Sequence, residues 1–108
     1  MVKYSEPALD RVFAALSDST RRGILADLVN GETSVTALAA PHKMSLPAVS
    51  KHLRVLERAG LVNCRKEGRV HHCKLAFEPM RNALNWLAQH RWFWEHSFDA
   101  LARHLQEP

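Results

Sequence analysis

The chain has 108 residues, 46% apolar and 24% charged, which suits one globular domain over residues 1–108 and excludes two independent cores, disorder, collagen-like structure and, with only two cysteines, a disulfide scaffold. Fifteen Lys and Arg against eleven Asp and Glu give +4 with the seven His neutral. The excess is segregated: between residues 42 and 74 eight bases meet two acids, net +6, while the rest of the chain carries −2. A basic third of a small domain is the footprint of a phosphate-binding face, although a solvated charged surface has the same composition.

Pro7 suits a helix start, and Leu9, Val12, Phe13 and Leu16 recur at helical spacing, which predicts a first helix over 7–17. Asp18 or Ser19 caps a second helix whose buried stripe is Ile24, Leu25 and Leu28, with Gly31 as its stop. Ser34 caps a short third helix over 35–39, because Pro41 disfavours helical geometry at Ala40. Ser45 caps a fourth helix with Pro47 in its first turn and Gly60 at its end. Val49, Leu53 and Leu56 line its buried side, and Pro47, Ala48, Lys51, Arg54 and Arg58 its open side. Strands follow over 61–66 and 70–77, joined by Glu67-Gly68-Arg69. A two-residue turn at Gly68-Arg69 pairs Cys64 with Cys73 and puts Arg65, Lys66 and Arg69 near the hairpin tip.

Pro79 opens a last helix, predicted as one rod over 79–105 and about 40 Å long at 1.5 Å per residue. Its seam is Met80, Leu84, Leu87, Trp94, Phe98, Leu101 and Leu105, interrupted by Arg91. Trp86, Trp92, Phe93 and Trp94 crowd its middle. Part of this stripe is core, but so small a body leaves apolar area uncovered, and a second copy of the chain is the simplest cover. The expected dimer contacts are Leu9, Phe13, Leu84, Leu87, Trp94, Phe98 and Leu101, on the helices over 7–17 and 79–105.

The expected fold is mainly α with a small β-hairpin wing: a winged helix-turn-helix, with the helix-turn-helix over 34–60 and the wing over 61–77. A major groove admits one helix, and its first turns approach base edges. The stretch from Ser45 to Val62 resembles the recognition helix of the ArsR/SmtB-type repressors, and the resemblance implies DNA contacts at Ser45, Pro47, Ala48, Ser50, Lys51, His52 and Arg54; Arg65, Lys66 and Arg69 of the wing are expected on flanking phosphate or minor groove. Lys51 and Arg54 position on phosphates, whereas Pro47 and Ala48 allow close approach or meet thymine methyls. Ser45 also has its capping task. His52 lies beside the buried stripe, so packing and phosphate contact are equal alternatives.

Asp18-Ser19-Thr20-Arg21-Arg22-Gly23-Ile24-Leu25 resembles the second-helix signature of the ArsR/SmtB-type repressors. The stretch from Ser45 through Lys51-His52-Leu53-Arg54 to Gly60-Leu61-Val62 resembles their recognition helix, and Arg65-Lys66-Glu67-Gly68-Arg69 their wing. The resemblance covers about residues 8–77. It implies a dimeric, sequence-specific transcriptional regulator, usually a repressor, on an inverted-repeat operator in double-stranded DNA.

Two departures bear on effectors. Where many members carry a Cys-x-Cys metal pair, this chain has Ser34 and Thr36, neither a soft-metal ligand. The last helix carries His90, Glu95, His96, Asp99 and His104 but lacks the family's Asp-x-His opening. The resemblance is thus to a metal-site-lacking branch; no metal and no cofactor are expected, and no small-molecule effector is specified.

Cys64 and Cys73 are either two small apolar strand residues or a redox or soft-metal sensor in a basic setting near His71 and His72. The Trp-rich helix offers a ligand pocket as a further alternative to interface core. With no glycine-rich phosphate loop and no nucleophile motif, an enzyme is not expected. A protein-interaction adaptor is the stronger rival, but it has no need of the segregated +6. No membrane span or secretory leader is read, and the expected compartment is the cytoplasm of a cell whose cytosol touches its DNA, or a nucleus; the resemblance, to a prokaryotic family, implies the cytoplasm.

Overall fold

The computed structural model describes residues 6–106. In chain order these form α1 (Glu6–Leu16), α2 (Ser19–Leu28), β1 (Thr33–Ser34), α3 (Val35–His42), α4 (Leu46–Arg58), β2 (Val62–Glu67), β3 (Val70–Leu75), α5 (Glu78–Gln89) and α6 (Arg91–Gln106). Three helices begin as the side chains dictate. The Asp18 carboxylate accepts from the Arg21 amide, the Ser34 hydroxyl from Ala37 and the Ser45 hydroxyl from Ala48.

Leu9, Val12 and Ala15 of α1, Ile24, Leu25 and Leu28 of α2, and Val49, Leu53 and Leu56 of α4 meet in one core with Leu38, Leu61, Val62, Cys73 and Ala83. Every one is at least nine-tenths buried. The apolar stripes of three helices thus close on one another and on the root of the hairpin. Gly60, at φ +77°, turns the chain from α4 towards β2, and a Cβ there would meet Pro79 Cγ at 2.9 Å.

Four expectations need correction. First, α3 does not stop at residue 39 but runs to His42 with Pro41 inside it. Pro41 falls in the last turn, where its missing N–H removes a single bond. Lys43, left-handed at φ 52°, turns its amide onto Ala40 O at 3.3 Å, and Met44 N–H reaches Ala39 O at 3.5 Å. Second, the expected hairpin of β2 and β3 forms, but β1 adds an unexpected third strand to it, giving an antiparallel sheet in the order β1-β3-β2. Thr33 pairs with Cys73 and Ser34 with His72. A two-residue strand is too short to show period-two alternation.

Third, the single rod over 79–105 is two helices broken at His90. In a continuous helix the His90 amide would bond Trp86 O; instead the His90 ring Nδ1 takes that carbonyl at 2.8 Å and stacks on the Trp86 ring. The His90 amide bonds Leu87 O, and its backbone leaves the helical region at φ −102°, ψ 7°. Fourth, Leu9 is 4% exposed within its own chain and belongs to the core, so it is no free dimer contact.

Candidate nucleic-acid interface

Helix α4 turns Val49, Leu53 and Leu56 inward, and its opposite side is open. Ser45, Pro47, Lys51, Arg54 and Arg58 are exposed, Leu46 is 47% exposed, and Ala48 and Ser50 are half-buried. Among the described residues Lys51, Arg54 and Arg58 form no ion pair, so their charges are unspent on the protein. Pro47 in the first turn lacks an amide that the helix would leave unbonded in any case.

The wing stands beside this face. Val62 pairs with Leu75, Cys64 with Cys73 and Glu67 with Val70, the register that the two-residue turn requires. Gly68 takes φ +62° at the tip, and Lys66 and Arg69 are exposed beside it without an ion pair among the described residues. Between α4 and the wing lie two adjoining clefts. One of about 270 Å³ is lined by Ser50, Leu53, Arg54, Glu57, Cys64 and His71. The other, about 340 Å³, is lined by Ser34, Thr36, Leu46, Ser50, Arg69 and His71.

Two residues from the expected contact set are otherwise engaged. Arg65 holds Glu32 at 2.7 Å and Glu67 at 3.4 Å. The Arg65 hydrogen bond holds the Glu32 carboxyl below its ordinary value, and Glu32 in turn raises Arg65. His72 lies 3.9 Å from the same Glu32 carboxylate. Arg65 thus braces the wing against the chain before β1. Sequence reading missed Glu32, since nothing local links it to a partner 33 residues away.

His52 is half-buried, and its Nδ1 accepts from Arg21 Nη1 at 3.4 Å. Arg21 also donates to Ala15 O at 2.7 Å and Ala14 O at 3.1 Å, carbonyls in the last turn of α1. Its amide bonds the Asp18 carboxylate, and that bond is the main cause of the lowered Asp18 pKa. Arg21 therefore ties the end of α1 to the middle of α4, and of the two roles considered for His52 this contact serves packing. A second tie runs from His42 Nε2 to Asp27 at 2.9 Å, joining α3 to α2. The His42 ring crosses Gly23, where a Cβ would meet Cε1 at 2.7 Å.

The terminal helices are uncovered. No residue of α6 is buried. Trp92, Phe93, Trp94, Phe98, Leu101 and Leu105 are 43–74% exposed, as are Leu84 and Leu87 of α5 at 59% and 43%. Phe13 is half-buried against Trp86, ring centroids 6.0 Å apart and edge-on. His96 donates to Trp92 O and stacks on its ring, and Arg91 pairs with Glu95 at 2.8 Å, which raises Arg91. Among the described residues no three His, Cys, Asp or Glu side chains gather as metal ligands. No described helix is long and apolar enough to cross a membrane.

A capped helix-turn-helix followed by a basic β-wing defines a winged helix-turn-helix protein. Residues 16–65 match a family model described as "Helix-turn-helix domain". The transcriptional repressor SdpR of Bacillus subtilis is 30% identical over 79 residues, which cover 73% of this chain and 88% of SdpR. An ArsR family transcriptional regulator of known crystal structure superposes with a TM-score of 0.79 at 39% identity, over 88% of this chain and 97% of that one. The solution structure of a homodimeric winged helix-turn-helix DNA-binding domain from Mycobacterium bovis superposes at 0.63 with 27% identity, over 93% and 95% of the two chains. The chain belongs to the ArsR/SmtB family of transcriptional regulators.

Proposed function

We propose that two copies of this chain pair through the apolar faces of α5 and α6 and bind an inverted-repeat operator as a transcriptional repressor. Each copy lays the first turns of α4 in a major groove. Ser45, Pro47, Ala48 and Ser50 approach base edges, and Lys51 and Arg54 hold phosphates on either side. Lys66 and Arg69 at the wing tip reach the flanking backbone. Arg65 contributes mainly by bracing the wing. Phe13 and Trp86 back the interface helices from within each copy, and Leu84, Leu87, Trp94, Phe98 and Leu101 form the contact.

The observation that carries this reading is the basic face of α4, unpaired among the described residues and beside an exposed basic wing tip. An adaptor that binds only protein gives no reason for these charges to stand together and unpaired. The family consists of regulators rather than enzymes, and we place the activity in the cytoplasm, where such a regulator meets DNA. Selection of bound duplexes from a random pool tests the proposal. A recovered inverted repeat whose binding survives excess competitor DNA supports it. Enrichment of no sequence refutes the specific-regulator reading, and enrichment of a single half-site refutes the paired arrangement.

A further inference from the structure

Cys64 and Cys73 are joined as a disulfide across β2 and β3, at directly paired positions. They are the only two cysteines of the chain. The two sulfurs have unequal surroundings. Cys73 is wholly buried, and its strand is held on the far side by Thr33. Cys64 is half-buried and opens into the cleft of about 270 Å³ beside Ser50, Arg54, Glu57 and His71. Its peptide N–H donates to the Glu57 carboxylate at 3.3 Å, and Glu57 lies on α4 one turn beyond Arg54. The cross-link therefore sits at the joint between the wing and the helix assigned to the groove. A filler pair of small apolar residues gives no reason for one of them to open into a cleft where Ser50, Arg54, Glu57 and His71 stand beside Val35 and Leu53.

We propose that Cys64–Cys73 is a thiol–disulfide site that sets the position of the wing against α4, with the disulfide form binding DNA more tightly. This rests on the function proposed above. A cellular dithiol, small or protein-borne, is the reductant. Its first thiolate attacks the accessible Cys64 sulfur; the Cys64–Cys73 bond breaks, and its electron pair leaves on Cys73, which takes a proton. The second thiolate then attacks the reductant's own sulfur in the mixed disulfide and releases Cys64, which is protonated likewise. One dithiol becomes a disulfide and one protein disulfide becomes two thiols.

The mechanical consequence follows from burial. Non-bonded sulfurs stand roughly 1.5 Å further apart than bonded ones. Cys73 is walled in, so Cys64 takes up the displacement. It moves into the cleft towards Glu57 and Arg54 and carries β2 and the Lys66 end of the wing with it. Losing one wing phosphate contact per copy weakens binding by about tenfold.

The test uses the whole chain in a series of reduced and oxidised dithiothreitol ratios. Free thiols are counted by alkylation and mass, and binding to the selected duplex is read by fluorescence anisotropy. The expected result is a loss of about tenfold in affinity on reduction, coincident with the thiol transition, in a dimer that persists throughout. Cys64→Ala and Cys73→Ala, each checked for native circular dichroism, are expected to be insensitive to the poise; because Cys73 lies in the core, Cys64→Ala alone suffices. Constant affinity while the thiols convert overturns the proposal. So do free thiols at every poise, or a Cys64→Ala variant that still responds. No DNA binding at any poise, with normal thiol conversion, refutes the underlying function and this proposal with it.

Discussion

Replacing Ala48 with Asp separates binding from folding in one step, because the two effects have opposite signs. Ala48 is the third residue of α4, and its amide already bonds the capping Ser45 hydroxyl. A carboxylate there faces the positive end of the helix dipole and stabilises the fold by about 0.3–1 kcal/mol, a rise of roughly 2–5 °C in Tm. The half-buried position has room, since it borders the open side of the helix rather than the core. On DNA the same carboxylate lies among phosphates. At about 6 Å and an effective dielectric between about 20 and 80, each near phosphate opposes it by roughly 0.7–3 kcal/mol. Two recognition helices per dimer double this to a central value near 3 kcal/mol, a loss of over about a hundredfold. Thermal unfolding by circular dichroism and anisotropy on the selected duplex, both at low salt, measure the two effects. Binding within about threefold of the parent, at a normal Tm, refutes the assignment of this helix face to the groove. A Tm several degrees lower refutes the account of the α4 start.

Other perturbations probe different parts of the same arrangement. Lys51→Ala and Arg54→Ala each remove one phosphate contact per copy, so the slope of log affinity against log salt should flatten by about 2 per dimer; an unchanged slope places those side chains off the DNA. Trp94→Asp puts a charge in the exposed apolar face of α6 and should give a monomer by sedimentation, with operator affinity collapsing although α4 and the wing are untouched. Leu56→Ala, in a fully buried position, should cost about 2–5 kcal/mol by chemical denaturation. For Glu32 the folded carboxyl titrates below its ordinary value of 4.5. Its bond to Arg65 therefore contributes fully above pH 4.5 and is lost as pH falls through the lower folded value. Glu32→Gln should flatten the Tm profile in that acid window and leave it parallel to the parent at neutral pH.

Much of the helix-turn-helix was legible because its signals are local. Asp18, Ser34 and Ser45 each cap the helix expected of them, since a short acceptor side chain reaches an amide three residues on whatever surrounds it. The pairing of Cys64 with Cys73 followed from the length of the turn alone. The seam of α4 was readable because Val49, Leu53 and Leu56 repeat at one-turn spacing against a polar remainder. Features that rest on distant partners were not legible. Strand β1 exists only because Cys73 and His72 offer it an edge. Arg65 looked free until Glu32 came beside it. Arg21 was part of a motif with no assigned task until α1 ended its carbonyls against it.

The last third of the chain shows both sides of this division. By itself the sequence determined that this third is mostly helical and apolar on one side, because both properties are written at spacings of three and four. It also determined that the net basic excess is confined to the α4 and wing region. Only the tertiary structure decided that the helix breaks at His90, where a ring nitrogen competes for the carbonyl of Trp86. It likewise moved Leu9 from an expected contact into the core and left the α6 aromatics outside it. A periodic stripe records that a face is apolar, but what covers the face depends on how much surface the remainder of the chain brings to it.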